Sequence, residues 1–332
     1  MKYILSLFAV FVLLGCSSKN YFEPKSVAGS VNYTGSVVTN IIDTTRDGAT
    51  LADGRVITKK SGLIESGRLP KGFRYVNEND NAIIAVDIYG DVDILSKKDF
   101  SIIKKIKLNT QILSATLHNN LLAMVDAKNH ILLYDINTDK LLYKERLHEA
   151  VAIDTRLANP LFLNDLIIYP TLDGRLLVMN MYQKRVLRDI AISDDDIFNN
   201  VIFVGVYNDV LIAATRTKVI SVTTSSIKSY KAGIKDIIYD MGRVYLFTKD
   251  GKVILLTNDL KKINELNLPN AIFSAVFVSN NKIYAVEKTG YLIEIAKDLS
   301  SYRVKKLSDE IEAPVIGFKN RVYIGDKYIN VQ

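Results

Sequence analysis

The chain has 332 residues, 48% of them hydrophobic, with 43 Lys and Arg against 36 Asp and Glu and a formal net charge of +7. One cysteine and no tryptophan are present, so no intramolecular disulfide can form and a buried core must supply the stability. The excess of positive charge is modest and no basic–aromatic cluster accompanies it, which argues against nucleic acid as a partner.

At the N-terminus, residues 1–15 carry one positive side chain, Lys2, and then an apolar run from Tyr3 to Leu14. The run is too short to span a bilayer and has the layout of a secretion signal. It ends Leu13-Leu14-Gly15-Cys16, which resembles the lipobox of bacterial lipoproteins. The resemblance implies cleavage before Cys16, lipidation of its thiol with palmitate-type chains, and acylation of the new amino group. Two or three acyl chains give stable anchoring where one does not. Ser17 stands where retention at the inner membrane would favour Asp, so the resemblance points to the periplasmic face of the outer membrane. Loss of Lys2 with the signal leaves 42 basic residues and a charge of about +6. Residues 16–26 read as the lipidated Cys and a flexible tether. Residues 27–332 read as one domain, and no second apolar run suggests a membrane helix.

From Ser36 onward, short apolar or alternating segments follow one another, each ended by turn-forming residues. The first copy is irregular, with Asp47-Gly48 and Asp53-Gly54 between its segments. Clearer copies cover 73–108, 112–147, 161–192, 201–232, 234–268 and 272–307. In the last of these, Asn280-Asn281 and Thr289-Gly290 suit tight reversals that need positive φ. A shortened copy closes the chain. First strands begin near 37, 73, 112, 158, 201, 234, 272 and 313, a period of roughly 33 to 46 residues that matches propeller blades. The expected fold is all-β: an eight-bladed β-propeller of four-stranded antiparallel blades. Seven blades is the alternative if the first copy is only a loop. The final copy has three strands before Gln332, so the N-terminal segment Val27–Tyr33 is expected to supply its fourth and close the ring. Lys and Arg gather in the fourth strands, among them Lys104, Lys105 and Lys107, as outward charges that discourage edge pairing.

Catalytic chemistry is nearly absent from this pattern. His118, His130 and His148 lack metal-ligand spacing, and there is no phosphate loop or nucleophile elbow. Asp173-Gly174 and Asp250-Gly251 read as hairpin turns, and three adjacent carboxylates at 194–196 cannot all face one ion. No catalytic residue, metal or cofactor is expected. The stretch 132–147, with Tyr134-Asp135, Thr138-Asp139 and Tyr143, resembles the repeat of pyrroloquinoline-quinone-type propellers, with Tyr in place of the usual Trp. Lipobox and eight-fold ring together resemble the BamB family of outer-membrane assembly lipoproteins. That resemblance implies a non-enzymatic scaffold, monomeric within a complex. It would dock on the periplasmic domains of the barrel-inserting, BamA-like subunit and aid delivery of unfolded barrel precursors.

Two local matches carry the resemblance to a docking surface. Arg156 precedes Ala158-Asn159-Pro160, and Asp194-Asp195-Asp196 precedes the strand starting at Val201. The implied partner-binding residues are Arg156, Asp194 and Asp196, offering charge-assisted contacts, with Leu157 as the apolar centre. The other reading is a small molecule, glycan or peptide bound in the central channel. A scaffold calls for an exposed patch on the inter-blade loops and a channel without convergent polar groups. A ligand binder calls for polar and aromatic side chains meeting on the axis.

Overall fold

The computed structural model describes residues 20–193 and 199–331; the signal segment, Cys16, Asp194 and Asp196 lie outside them. Eight four-stranded antiparallel sheets follow one another in a ring, with no helix among the described residues. Their innermost strands, which number the blades 1 to 8, are Ile41–Thr44, Arg74–Glu78, Ile112–His118, Leu161–Leu163, Phe203–Tyr207, Ile234–Asp240, Phe273–Ser279 and Val315–Phe318. The irregular first copy is a complete blade, with Gly48–Leu51, Val56–Thr58 and Gly62–Ile64 beside its inner strand. Eight blades therefore stand, not seven.

The strands follow from what each blade has on its two faces. Middle strands such as Ala82–Val86 are buried along their whole length, because neighbouring blades cover both sides. Outer strands such as Ile102–Lys107 bury only Ile106 fully and leave most of their length towards solvent. The turns carry the conformations that their residue types favour. Asn280 and Asn281 have φ of 46° and 59°, and Asn208 and Asp209 have 47° and 60°; paired positive φ values match the right-handed twist of the flanking strands. In the stretch 132–147, Asp135 Oδ1 accepts from the amides of Asn137 and Thr138, and Tyr143 packs between blades 3 and 4.

Closure departs from the expected segment. Gly35–Ser36 pairs antiparallel with Lys327–Asn330 and completes blade 8. Backbone bonds from Thr34 N to Tyr328 O (2.8 Å) and from Val37 N to Asp326 O (2.7 Å) extend that pairing. Gly35 is there for a steric reason: a Cβ on it would lie 2.6 Å from the Tyr328 hydroxyl. Within the expected Val27–Tyr33, Ser30–Val31 instead adds in parallel to the outer strand of blade 7, opposite Lys306 and Leu307. The expected tether is also pinned near its end. Phe22 is 4% exposed, sits in the core between blades 6 and 7, and meets Tyr291 edge-on at 5.7 Å.

Candidate functional site

The inner strand of blade 1 has four residues where blades 3, 6 and 7 have seven. Its turn Thr45–Asp47 therefore sits inside the channel, held by Thr45 Oγ1, which accepts from Gly48 N at 3.1 Å. Arg46, 8% exposed, reaches across the axis to Asp236 of blade 6 at 3.3 Å and lies over the Phe203 ring of blade 5. The register shift between Ile234 and Asp236 marks a β-bulge, a device that re-aims side chains. A second guanidinium, that of Arg156, donates from Nη1 to Asp236 Oδ2 at 2.9 Å and from Nη2 to the Ser274 carbonyl of blade 7 at 2.7 Å. Burial would raise the Asp236 carboxyl, but Arg46, Arg156 and Lys59 outweigh it and hold the group at about 2. A depressed acid stabilises the fold above its ordinary value of 3.8 and loses that contribution as pH falls towards about 2. Acid unfolding followed by circular dichroism should therefore steepen across this window, and Asp236→Asn should flatten it.

Arg156 belongs to a strap, residues 147–160, that joins blade 3 to blade 4 and crosses one end of the channel. Antiparallel strands put second-to-third-strand turns and inter-blade connections on one face of the ring, and the strap's contacts fit that placement. Asp154 receives Arg216 Nε from the blade 5 turn at 2.6 Å, and its amide donates to Asn200 Oδ1 at 2.6 Å. Asn200 Nδ2 returns bonds to Ala152 O and Leu172 O. Farther along, Asn159 Nδ2 donates to Asp47 Oδ2 of blade 1 at 2.8 Å. Four blades thus grip one loop.

This geometry shows how two of the expected docking residues are placed. The Arg156 guanidinium is committed inward, because a buried carboxylate facing it binds more strongly than water does. Leu157 is 8% exposed and belongs to the core between blades 3 and 4. It is not an exposed apolar centre. What the strap displays is Val151, 77% exposed, and Ile153, 47% exposed. Ile88 and Tyr89, exposed in the corresponding turn of blade 2, stand on the same face. The alternation of Val151, Ile153 and Thr155 outward with Ala152, Asp154 and Arg156 inward was a legible signal in the longest gap between blades.

At the opposite end the channel opens as a cup of about 530 Å³ lined by residues of all eight blades, with Arg46, Lys59 and Asp236 among them. Polar groups therefore do meet on the axis, as a ligand binder would require, although Arg46, Arg156 and Asp236 largely satisfy one another. Lys59 comes from the last turn of blade 1. Burial between the channel walls, and then the Arg46 guanidinium, holds its ammonium below the ordinary lysine range, although water still reaches the side chain along the cup. Two of the histidines have fixed contacts: His130 Nδ1 bonds Asp126 Oδ2 at 2.7 Å, and His118 stacks on Phe162. Among the described residues no group of three His, Cys, Asp or Glu is placed to hold a metal.

No family model matches the chain. Two curated relatives, each named plasminogen-binding protein PgbB and found in two strains of Helicobacter pylori, are 30% identical over 327 residues. The match covers 85% of this chain but only 60% of those proteins. Among solved structures, BamB from Moraxella catarrhalis superposes with a TM-score of 0.68 at 13% identity, covering 89% of this chain and 99% of its own. The C-terminal WD40 domain of Sif2 gives 0.68 at 10% identity, covering 92% of this chain and all of its own. The computationally designed Ika8 protein gives 0.63 at 13%, with the same coverage. At such identities the likeness establishes architecture: the chain is an eight-bladed β-propeller of the kind seen in BamB.

Proposed function

We propose that this chain is a non-enzymatic docking propeller, anchored through Cys16 at the periplasmic face of the outer membrane. In this reading it docks on the periplasmic domains of the barrel-inserting, BamA-like subunit and helps supply it with unfolded barrel precursors. The observation that carries the reading is the strap. A loop gripped by four blades holds Val151 and Ile153 outward at little entropic cost, and a rigid base under exposed apolar anchors is what a small docking surface needs. The ring shared with BamB and the lipobox-like Cys16 support the partner and the location.

The test is capture of the tagged full chain from detergent-solubilised membranes, followed by detection of the barrel-inserting subunit. Val151→Asp with Ile153→Asp should cut recovery about tenfold or more, since each buried anchor carries roughly 1–2 kcal/mol. The melting temperature should stay put, because both side chains face solvent. Recovery unchanged by the pair of substitutions would remove the strap from the interface.

A second reading rests on the relatives: the likeness to PgbB suggests that this chain binds plasminogen. Retention of the purified chain on immobilised plasminogen, without recovery of the barrel-inserting subunit from membranes, would favour it over the first.

A further inference from the structure

We infer that the open cup of the channel binds an apolar monocarboxylate, with its acid group on the Lys59 ammonium and its body against the apolar wall. The inference is independent of the docking reading, because Val151 and Ile153, which carry that reading, do not line the cup. Its first ground is charge. Around the floor stand Arg46, Arg156 and Lys59, against two carboxylates, Asp236 and Asp47. Asp236 is shared by both guanidiniums, and Asp47 is bonded to the neutral Asn159. One positive charge is left over at the floor, and Lys319 adds another at the rim, over the Phe318 ring; Lys59 acts on Asp236 and Asp47 through its field.

The neighbouring acid cannot serve it. Glu78 already accepts from Thr58 Oγ1 at 2.5 Å and pairs with Lys97 at 2.7 Å. Lys60, next in sequence, leans outward to Asp80 at 3.6 Å. Arg46 Nε is also without a partner, but it is buried and closed to the cup, so the ammonium of Lys59 is the donor a ligand would meet. A single carboxylate brings one negative charge and a hydrogen-bond acceptor to the Lys59 ammonium.

The wall decides the rest of the ligand. Phe203, Val204, Val278 and Phe318 line the cup above the floor, each half-buried with apolar surface left to cover. A volume of about 530 Å³ lies within the usual range for small-molecule sites. Fatty acids and the free C-termini of apolar peptides share this chemistry.

Calorimetry on the full chain in non-ionic detergent tests the site with octanoate against octanamide, and with a tripeptide of Val and Phe as free acid against its amide. At least one acid should bind one-to-one, about tenfold or more tighter than its amide, and which acid does so identifies the source. Lys59→Gln should weaken that acid by about tenfold, the loss expected of one charge-assisted bond, without moving the melting temperature. Lys107→Gln, on the outer strand of blade 2 and outside the cup, should leave binding unchanged. Absence of binding by both acids at about 5 mM, equal binding of acid and amide, or indifference to Lys59→Gln would each overturn the inference.

Discussion

Asp236→Ala is expected to lower the stability of the ring by about 3–5 kcal/mol, the range for removing one partner from a buried ion pair. The substitution strands two guanidiniums, Arg46 and Arg156, inside the channel with no carboxylate between them. Desolvating an unpaired charge costs far more than an exposed pair is worth. For a domain of this size the melting temperature should fall by roughly 6–15 °C, read by thermal circular dichroism. Arg156→Met should cost less, because Arg46 still partners the acid, although Ser274 loses its donor. Combining Asp236→Leu with Arg46→Met and Arg156→Met should regain much of the loss by replacing a charged layer with an apolar one. An Asp236→Ala protein that melts with the wild type would show the layer to be energetically idle.

Removal of residues 20–36 is expected to have an effect of similar or larger size. It takes away the closing pair at Gly35–Ser36, the parallel pair at Ser30–Val31 and the buried Phe22 together. Phe22 alone is worth about 2–3 kcal/mol in transfer terms. The open strand Lys327–Asn330 would then offer unpaired backbone to another molecule. A drop of more than about 10 °C in melting temperature, with self-association on size-exclusion chromatography, is the expected result. Phe22→Ala, which keeps both strand pairs, should lose stability but stay monomeric. A shortened chain that remains monomeric and melts normally would mean that the ring does not depend on its N-terminal strand.

The blades from Ile272 and Ile234 were legible because local signals agreed there. Apolar runs were long, Asn-Asn and Met-Gly pairs marked the turns, and each turn formed with positive φ. Blade 1 was harder to read, with strands of three and four residues, and its shortness is what places Arg46 and Lys59 in the channel. The closing strand lies a few residues beyond Val27–Tyr33, at Gly35–Ser36, where the absence of a Cβ at Gly35 leaves room for the Tyr328 ring. The sequence points Arg156 towards an external partner, and the structure pairs its guanidinium with Asp236 inside the channel. Nothing in its own neighbourhood shows that Asp236, 80 residues away, faces it. The strap's outward residues were readable as an alternation, but their role depends on the four-blade grip that only the fold shows.

The two-stage attachment of the N-terminal segment has a mechanical consequence. Tension applied from the N-terminal side reaches Phe22 first and the Ser30–Val31 pair next, before it loads Gly35–Ser36. Each earlier contact can yield as a sacrificial link. A molecule tugged by its leading end would therefore lengthen by several residues while its circular body stayed shut.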